Sequence, residues 1–256
     1  MPEKKIIFKE EKKLIYRIGD TVYKDFDETY TMEDVLNEAL NQARVDHLDF
    51  KVPKIKGVEV IDGRCVILSE YIEGEKLITL MEKNEKDLLK YLTIFVDLQK
   101  KVQSVSYNGI TNSFEKMINS ILESDIRATI RYDLCMKLKN LSNSKNICHG
   151  DFYPDNIIVT KNDEYYILDW AHVTFGNPLS DIANTYLKFI LDDKEDIAEK
   201  YINTYIEEQK INREDFDLWV PIVACAVLYR YKNDIKLYNK LINTMNKYLG
   251  VEVLKI

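Results

Sequence analysis

The amino-acid sequence predicts an α+β fold in which a small antiparallel β-sheet lobe with one helix is followed by a larger, mainly α-helical lobe. Short segments rich in β-branched and aromatic residues fill most of the first part of the chain. From residue 75 onward, apolar residues recur mostly at helical spacing. The composition changes near residues 70–74, so we expect residues 1–70 to form the β lobe and residues 71–256 to form the helical lobe.

Two local signals define the elements of the β lobe. Thr31 is expected to begin its helix, because its hydroxyl can cap the first turn and Asp34 stands three residues later, as in a capping box. Asp62 and Gly63 mark the tight turn of a hairpin. The expected strands are residues 5–8, 14–18, 21–26, 58–61 and 64–70.

The helical lobe contains one interruption of its helical pattern. Residues 157–159 and 165–168 have strand composition, and Lys161, Asn162 and Asp163 form a turn signal between them, so we expect a β-hairpin there. The expected helical segments are residues 87–105, 114–123, 126–141, 182–191, 196–208 and 215–245, and the last is expected to hold more than one helix.

Charge and cysteine usage exclude several classes of partner. The formal net charge is −7, and an acidic chain is repelled by phosphate backbones, which argues against nucleic acid. The charge is compatible with a small cationic substrate, although a role in solubility alone explains it more simply. None of the four cysteines has CxxC spacing, so they are interpreted as buried apolar residues in a reducing compartment rather than as a zinc or disulfide framework.

No membrane segment is expected. The longest apolar run, residues 218–229, contains Pro221 and is too short to cross a bilayer. The charged first residues lack the apolar core of a signal peptide. We therefore expect a cytoplasmic protein without a membrane partner.

Three polar side chains are expected to meet at one end of the predicted hairpin. An antiparallel hairpin brings its first and last residues side by side, so Asn156 and Asp169 emerge together. Asp151 lies in the short loop that leads into the hairpin, and we expect it nearby. Two carboxylates and an amide oxygen suit Mg²⁺, whose open coordination positions can take phosphate oxygens. A carboxylate that does not bind the metal can accept a proton from an attacking hydroxyl.

Lys24 is the candidate cation for a triphosphate. Period-two alternation places Val22 and Lys24 on one face of their strand, where Val22 can pack on a nucleotide base and Lys24 can reach phosphates. A lysine on an apolar sheet face needs a partner. Glu38 is the candidate, because it lies one turn from Val35 on the following helix, at the border of an apolar stripe.

The motif His149-Gly150-Asp151, followed by Asn156 and Asp169, resembles the aminoglycoside phosphotransferase and choline kinase superfamily. That superfamily has HGD where protein kinases have HRD, with the same gap to the asparagine. The resemblance covers most of the chain and implies a bilobal protein-kinase-like fold. It also implies that Asp151 is the catalytic base or the residue that orients the hydroxyl group, and that Asn156 and Asp169 bind Mg²⁺.

Further roles follow from the same resemblance. Asp181 matches a residue that supports the catalytic loop, and His149 matches a residue that braces it. Glu38 resembles the helix glutamate that positions the family's lysine, here Lys24. The segment from residue 66 to residue 74 resembles the hinge of the nucleotide site, so backbone groups are expected to contact the base at Glu70, Tyr71 and Ile72.

The residues and the resemblance together predict an enzyme, a small-molecule kinase that transfers the γ-phosphate of ATP or GTP to a hydroxyl group. Trp170 follows Asp169 as it does in small-molecule kinases, which argues against a protein substrate. The acceptor is expected to be an aminoglycoside, choline, ethanolamine or a similar amino alcohol or sugar. The sequence leaves open which acceptor is used, whether ATP or GTP is the donor, and the oligomeric state.

Two other functions are compatible with parts of the sequence. The turn at residues 10–13 lacks glycine, the residue that best allows the backbone to approach a phosphate closely. A nucleotide-binding pseudokinase with little or no turnover is therefore the alternative function. A metal-dependent phosphohydrolase is less favoured, because dinuclear sites usually need several histidines and only His149 of the three lies in the motif.

Overall fold

The structure is a computed structural model that describes residues 3–10, 12–83, 85–106, 109–141 and 144–254. In chain order its strands are β1 (Lys5–Lys9), β2 (Lys13–Ile18), β3 (Thr21–Phe26), β4 (Ile55–Ile61), β5 (Arg64–Glu70), β6 (Glu75–Lys76), β7 (Asn146–Cys148), β8 (Ile157–Val159), β9 (Tyr165–Ile167) and β10 (Thr174–Gly176). Its α-helices are α1 (Met32–Val45), α2 (Leu77–Lys83), α3 (Leu88–Gln103), α4 (Ser113–Glu123), α5 (Ala128–Asn140), α6 (Pro178–Leu191), α7 (Glu195–Gln209), α8 (Arg213–Val227) and α9 (Ile235–Leu249).

Contacts within the chain define two compact units. The first unit comprises Met1–Glu85 and Pro154–His172, and the second comprises Lys86–Tyr153 and Val173–Ile256. The hairpin β8–β9 joins the first unit because β8 pairs with β6, which precedes α2. This grouping by contacts differs from the sequence-based division into lobes between residues 70 and 71. The sequence-based lobe boundary stays a prediction.

The first unit is built on a five-stranded antiparallel sheet with strand order β1-β2-β3-β5-β4. The predicted capping box is present, since Thr31 and Asp34 exchange side-chain and backbone hydrogen bonds at the start of α1. Helix α1 packs on the sheet through a small apolar core, whose buried members are Phe26, Val35, Ala39 and Ile67. The predicted strands and helix of this region are therefore confirmed.

The turn between β1 and β2 falls where the sequence lacks glycine. The backbone N–H of Glu10 donates to the carbonyl oxygen of Lys13 at 2.9 Å, which closes the turn. Glu11, at the centre of the predicted phosphate-covering turn, lies outside the described residues. The effect of this turn on nucleotide binding stays a prediction.

The second unit is mainly helical, as predicted. Buried aromatic rings join three of its helices to the segment after β7: the ring of Phe95 on α3 lies 4.9 Å from Phe152 and 5.6 Å from Tyr201 on α7. Phe189 on α6 packs on the same group. This aromatic core sets the position of the loop that follows β7.

Two features of the second unit bear on the sequence-based description, and one confirms it. Residues 215–245 form two helices, α8 and α9, with a 3-10 turn at Leu228–Tyr231 between them, so the expectation of more than one helix is confirmed. The short antiparallel pair β7–β10 was not predicted, because strands of three residues are too short to show period-two alternation.

Within the described ranges, the helices are too short or too polar to cross a lipid bilayer. The cytoplasmic location stays a prediction.

Candidate active site

A partly buried ion cluster forms in the first unit on the face of β3 that packs on α1. Alternation along β3 places Lys24 on the same face as Phe26, which is buried against α1. The Lys24 ammonium contacts the Glu38 carboxylate on α1 and lies 3.3 Å from Asp169 Oδ1. The side chains of Lys24 and Glu38 are only 16% and 14% exposed, whereas that of Asp169 is 37% exposed, so the cluster is open to solvent on the Asp169 side. We call it the lysine cluster.

The charge of Lys24 depends on its two partners. Burial alone would lower the pKa of the Lys24 ammonium, but the carboxylates of Asp169 and Glu38 outweigh burial, and the pKa is raised above its ordinary value. Lys24 is therefore a charged group held in a fixed position, which is what contact with a phosphate oxygen requires.

The hairpin β8–β9 brings Asn156 and Asp169 to one end. Ile157 pairs with Ile167, and the N–H of Leu168 donates to the carbonyl oxygen of Asn156 at 2.8 Å. Asn156 immediately precedes β8, and Asp169 follows β9 by two residues, so the backbone arrangement is the one that the sequence predicts. Their roles as metal ligands stay a prediction.

The backbone at Asp169 has an unusual conformation. Its φ is 57°, in the left-handed region that non-glycine residues seldom adopt. The next residue, Trp170, is fully buried; its indole N–H donates to Ile167, and its ring stacks on Phe50 at 5.1 Å. Trp170 thus anchors the chain directly after Asp169 and fixes the backbone position from which the Asp169 carboxylate extends.

The donor set of the hairpin fits a magnesium ion that arrives with a nucleotide. Mg²⁺ is commonly bound through one or two carboxylates plus substrate phosphates. In the described part of the chain, no group of three or more His, Cys, Asp and Glu side chains is arranged to hold a metal. Asn156 and Asp169 offer an amide oxygen and a carboxylate, which suits a shared nucleotide–metal site better than an independent metal centre.

The loop that contains His149, Gly150 and Asp151 is held through its backbone in the second unit. Asp181, in the first turn of α6, accepts hydrogen bonds from the N–H groups of Gly150 at 2.7 Å and His149 at 3.2 Å. Gly150 has a φ of 78°, which favours glycine at that position. Asp181 is 2% exposed, and burial raises its pKa even though these N–H groups and His149 oppose the shift.

Other side chains extend this support along the loop. Asn184 Nδ2 donates to the Gly150 carbonyl at 2.9 Å, and Thr185 Oγ1 donates to the Phe152 carbonyl at 2.7 Å. The His149 ring is fully buried, and its Nδ1 accepts the N–H of Asp151 at 3.2 Å. We call these contacts, together with those of Asp181, the loop brace.

Gln99 on α3 is a buried residue behind the loop brace that sequence reasoning missed. Its Nε2 lies 3.5 Å from Asp181 Oδ2 and 3.3 Å from Thr185 Oγ1, and its Oε1 accepts the Tyr201 hydroxyl at 2.5 Å. A glutamine in an amphipathic helix gives no sign in the sequence of which distant carboxylate it will meet.

Lys188 was also missed by sequence reasoning. Its Nζ lies 2.5 Å from Asp151 Oδ1 and 4.8 Å from the ring centroid of Tyr153. The sequence does hold a signal, because Lys188 follows Asp181 by two helical turns and so lies on the same face of α6. Asp151 and Lys188 belong to the second unit, so the prediction that Asp151 lies beside Asn156 and Asp169 stays a prediction.

The predicted hinge follows the end of β5. The N–H of Glu70 donates to Lys54, and the N–H of Tyr71 donates to Asp20 at 2.9 Å. Within the described residues, the N–H of Ile72 donates to no other group. Val22 is half-buried on β3 and pairs with Ser69 of β5, next to the hinge. Of the three predicted hinge residues, only Ile72 thus has a backbone N–H available to a base.

Solved structures with the same fold include aminoglycoside phosphotransferases and a choline kinase. A thermostable mutant of the aminoglycoside phosphotransferase APH(4)-Ia matches with a TM-score of 0.74 at 11% identity, over 97% of this chain and 94% of that one. A ternary complex of such a mutant with AMP-PNP and hygromycin B matches with a TM-score of 0.73 at 12% identity, over 97% and 93% of the two chains. The choline kinase LicA from Streptococcus pneumoniae matches with a TM-score of 0.62 at 14% identity, over 96% and 93%.

The fold is therefore the kinase-like fold. No curated protein matches the chain in sequence. A family model described as APH, phosphotransferase enzyme family, matches residues 12–218, which is most of the chain. The chain belongs to this family and is a small-molecule kinase.

Proposed function

We propose that this enzyme transfers the γ-phosphate of ATP or GTP to a hydroxyl group of a small molecule. The observation that carries the proposal is the lysine cluster, in which Lys24 joins Glu38 and Asp169 in the first unit. Lys24 would bind phosphate oxygens of the nucleotide, and Glu38 would keep the ammonium in place. A cation fixed beside a carboxylate suited to magnesium is the arrangement that phosphoryl transfer needs.

The reaction assigns a separate role to Asp151. The acceptor oxygen forms a bond to the γ-phosphorus, the bond from that phosphorus to the β,γ-bridging oxygen breaks, and Asp151 accepts the hydroxyl proton. Asn156 and Asp169 would hold Mg²⁺, which supplies positive charge to the phosphate oxygens when it is bound. The loop brace of Asp181 and His149 would keep Asp151 in position.

The nucleotide base would be held at the end of β5. The N–H of Ile72 would donate to the base edge, and Val22 would pack on its face. The N–H groups of Glu70 and Tyr71 already donate within the protein, so at those two residues only carbonyl oxygens are proposed as base contacts. A carbonyl acceptor and an N–H donor can pair with either purine, so the choice between ATP and GTP needs measurement.

Calorimetry with a non-hydrolysable nucleotide tests the proposal. Wild-type protein should bind AMP-PNP or GMP-PNP more tightly with Mg²⁺ than with EDTA, and Asp169→Asn should lose most of that difference. Asp163→Asn is a matched control, because Asp163 also has a positive φ, 56°, in the exposed turn of the same hairpin. Equal magnesium dependence in wild type and Asp169→Asn would contradict the assignment.

The acceptor can be sought among the substrates of similar kinases. Hygromycin B and choline are candidates, because one structurally similar enzyme is seen in a complex with hygromycin B and another is a choline kinase. Ethanolamine, homoserine, sugars and other aminoglycosides extend the screen, with ATP and GTP each as donor. The glycine-free turn at residues 10–13 favours the alternative function, a nucleotide-binding pseudokinase. Turnover by the wild type that is abolished in Asp151→Asn would exclude this alternative.

A further inference from the structure

One face of α6 supports the loop that contains Asp151 at successive positions. Three side chains of this face belong to the loop brace and bond to backbone groups of the loop. Lys188 follows Asp181 by two helical turns on the same face. Its Nζ lies 2.5 Å from Oδ1 of Asp151. Lys188 therefore contacts a side chain of the loop rather than its backbone, and that side chain is the proposed base.

The contact between Lys188 and Asp151 is partly shielded from water. The two side chains are 26% and 22% exposed. Another ion pair of the same unit, Lys200 with Asp196 on α7, has its charged atoms 3.8 Å apart and its side chains 51% and 73% exposed. An ion pair gains strength as water is excluded, whereas an exposed pair gains little, because holding two mobile side chains together costs entropy. The Lys188 ammonium can therefore fix the direction of the Asp151 carboxylate.

Tyr153 gives Lys188 a second fixed contact. The Lys188 Nζ lies 4.8 Å from the centroid of the Tyr153 ring, within the range at which an ammonium is attracted to an aromatic face. The Tyr153 ring packs on Phe189 at 4.9 Å, and its hydroxyl donates to Asp192 at 2.6 Å. Because the ring and the hydroxyl of Tyr153 are both held, Tyr153 limits the positions that the Lys188 ammonium can occupy.

Support of the helix end does not explain Lys188. A lysine in the last turn of a helix often serves the unsatisfied carbonyl groups there. In α6 a lysine of another helix does so, because Lys240 Nζ on α9 donates to the carbonyl oxygens of Ile190 at 3.2 Å and Leu191 at 2.9 Å. The Lys188 ammonium contacts the catalytic loop instead.

We propose that Lys188 is a positioning residue for catalysis, which holds Oδ1 of Asp151 and so orients the carboxylate toward the acceptor hydroxyl and keeps it ionised. The inference rests on the proposed kinase function and deepens the role of Asp151. In phosphoryl transfer, catalysis consists mostly of positioning and electrostatic stabilisation. An ammonium in contact also favours the ionised form of a carboxylate. Lys188 acts through Asp151 and is assigned no contact with the nucleotide or the acceptor.

Substitution of Lys188 tests this role. ATP turnover is measured with the best acceptor of the screen, or with water in its place. Lys188→Met removes the charge at nearly the same side-chain length and should lower kcat about 10- to 100-fold, because a small misplacement of a reacting group can cost about 10²-fold. The KM for ATP should change less than about twofold, because only the transition state is affected. Lys188→Arg keeps the charge and should retain most of the wild-type kcat.

A double variant and a matched control separate positioning from a general effect. In the Asp151→Asn background, Lys188→Met should change kcat less than about twofold further, because residues that act as a unit are not additive. Lys200→Met removes the same charge from the exposed pair on α7 and should leave kcat unchanged. The Tm of Lys188→Met should stay within about 4 °C of wild type, because partly exposed ion pairs contribute little to stability.

Four results would overturn the inference. They are an unchanged kcat in Lys188→Met, equal losses in Lys188→Met and Lys200→Met, equal losses in Lys188→Met and Lys188→Arg, and a double variant whose loss equals the product of the two single losses. An unchanged Lys188→Met beside an impaired Asp151→Asn refutes the inference alone. Absence of magnesium-dependent AMP-PNP binding and of ATP turnover in the wild type would instead refute the kinase function, so the two failures are distinguishable.

Discussion

The two units hold their polar groups in different ways. In the first unit, the charged side chain of Lys24 contacts both Glu38 and Asp169, although Lys24 and Asp169 are 145 residues apart in the chain. In the second unit, buried side chains bond to the backbone of one loop, as Asp181 does to Gly150. The first arrangement fixes charges, whereas the second fixes the path of the chain.

This difference predicts different consequences of substitution. Groups of the lysine cluster are proposed to contact the nucleotide or its metal ion, or to hold the lysine that does, so their loss should mainly weaken nucleotide binding. Groups of the loop brace touch neither nucleotide nor acceptor in the proposed mechanism, so their loss should lower kcat and stability together. Asp151 lies at the end of the braced loop and is expected to show the largest effect of all.

Replacing Asp151 by Asn should lower kcat by about 10²–10⁴-fold, because a positioned general base contributes about that much. The amide has nearly the same shape but cannot accept the hydroxyl proton. Steady-state kinetics with the best acceptor of the screen measures the effect, and calorimetry should show magnesium–nucleotide binding close to that of wild type. Retention of more than a tenth of wild-type kcat would remove Asp151 from the proposed role.

Replacing Lys24 by Met should weaken nucleotide binding by about 10- to 100-fold, because a hydrogen bond to a charged group is worth about 1.5–3 kcal/mol. Glu38→Gln should give a smaller loss, and the double variant should lose less than the sum of the two free energies, since both act through one contact. Isothermal titration with AMP-PNP and Mg²⁺ measures each constant.

A matched pair in the same unit provides the control for this prediction. Lys51 and Glu164 form a salt bridge at 2.8 Å, but their side chains are 50% and 40% exposed. Lys51→Met should leave nucleotide binding unchanged. If it weakens binding as much as Lys24→Met, the effect is one of general charge and the lysine cluster has no special role.

Replacing Asp181 by Asn should lower kcat by about tenfold and destabilise the second unit by about 1–3 kcal/mol, because the amide NH₂ would face a backbone N–H and leave it unsatisfied. Thermal unfolding and kinetics measure the two effects, with nucleotide affinity expected to stay within a factor of about two. A change in affinity as large as that in kcat would mean that the loop brace acts on the nucleotide as well.

The sequence predicted the contacts of the lysine cluster better than those of the loop brace. Lys24 and Glu38 could be paired because period-two alternation in a strand and the apolar stripe of a helix determine which way their side chains point. Asn156 and Asp169 could be paired because they lie at the two ends of one hairpin.

Gln99 and Lys188 approach the braced loop from helices whose relative placement depends on packing of the aromatic core. Such tertiary placement is not encoded in any short window of sequence, so Gln99 could not be assigned. For Lys188, helical spacing gives the face of α6 that it shares with Asp181, but not its contact with Asp151.

Gln99 offers the finest test of the comparison, because a matched residue lies one turn further along α3. Gln103 is also buried, and it donates to the Pro178 carbonyl and accepts the Tyr205 hydroxyl. Gln99→Leu and Gln103→Leu should each destabilise the protein by about 1–3 kcal/mol, since each leaves buried polar partners unsatisfied. Only Gln99→Leu should also lower kcat, by about two- to fivefold, corresponding to about 0.4–1 kcal/mol, because Gln99 alone contacts Asp181. Equal kcat values for the two variants at equal stability would show that support from α3 does not reach Asp151.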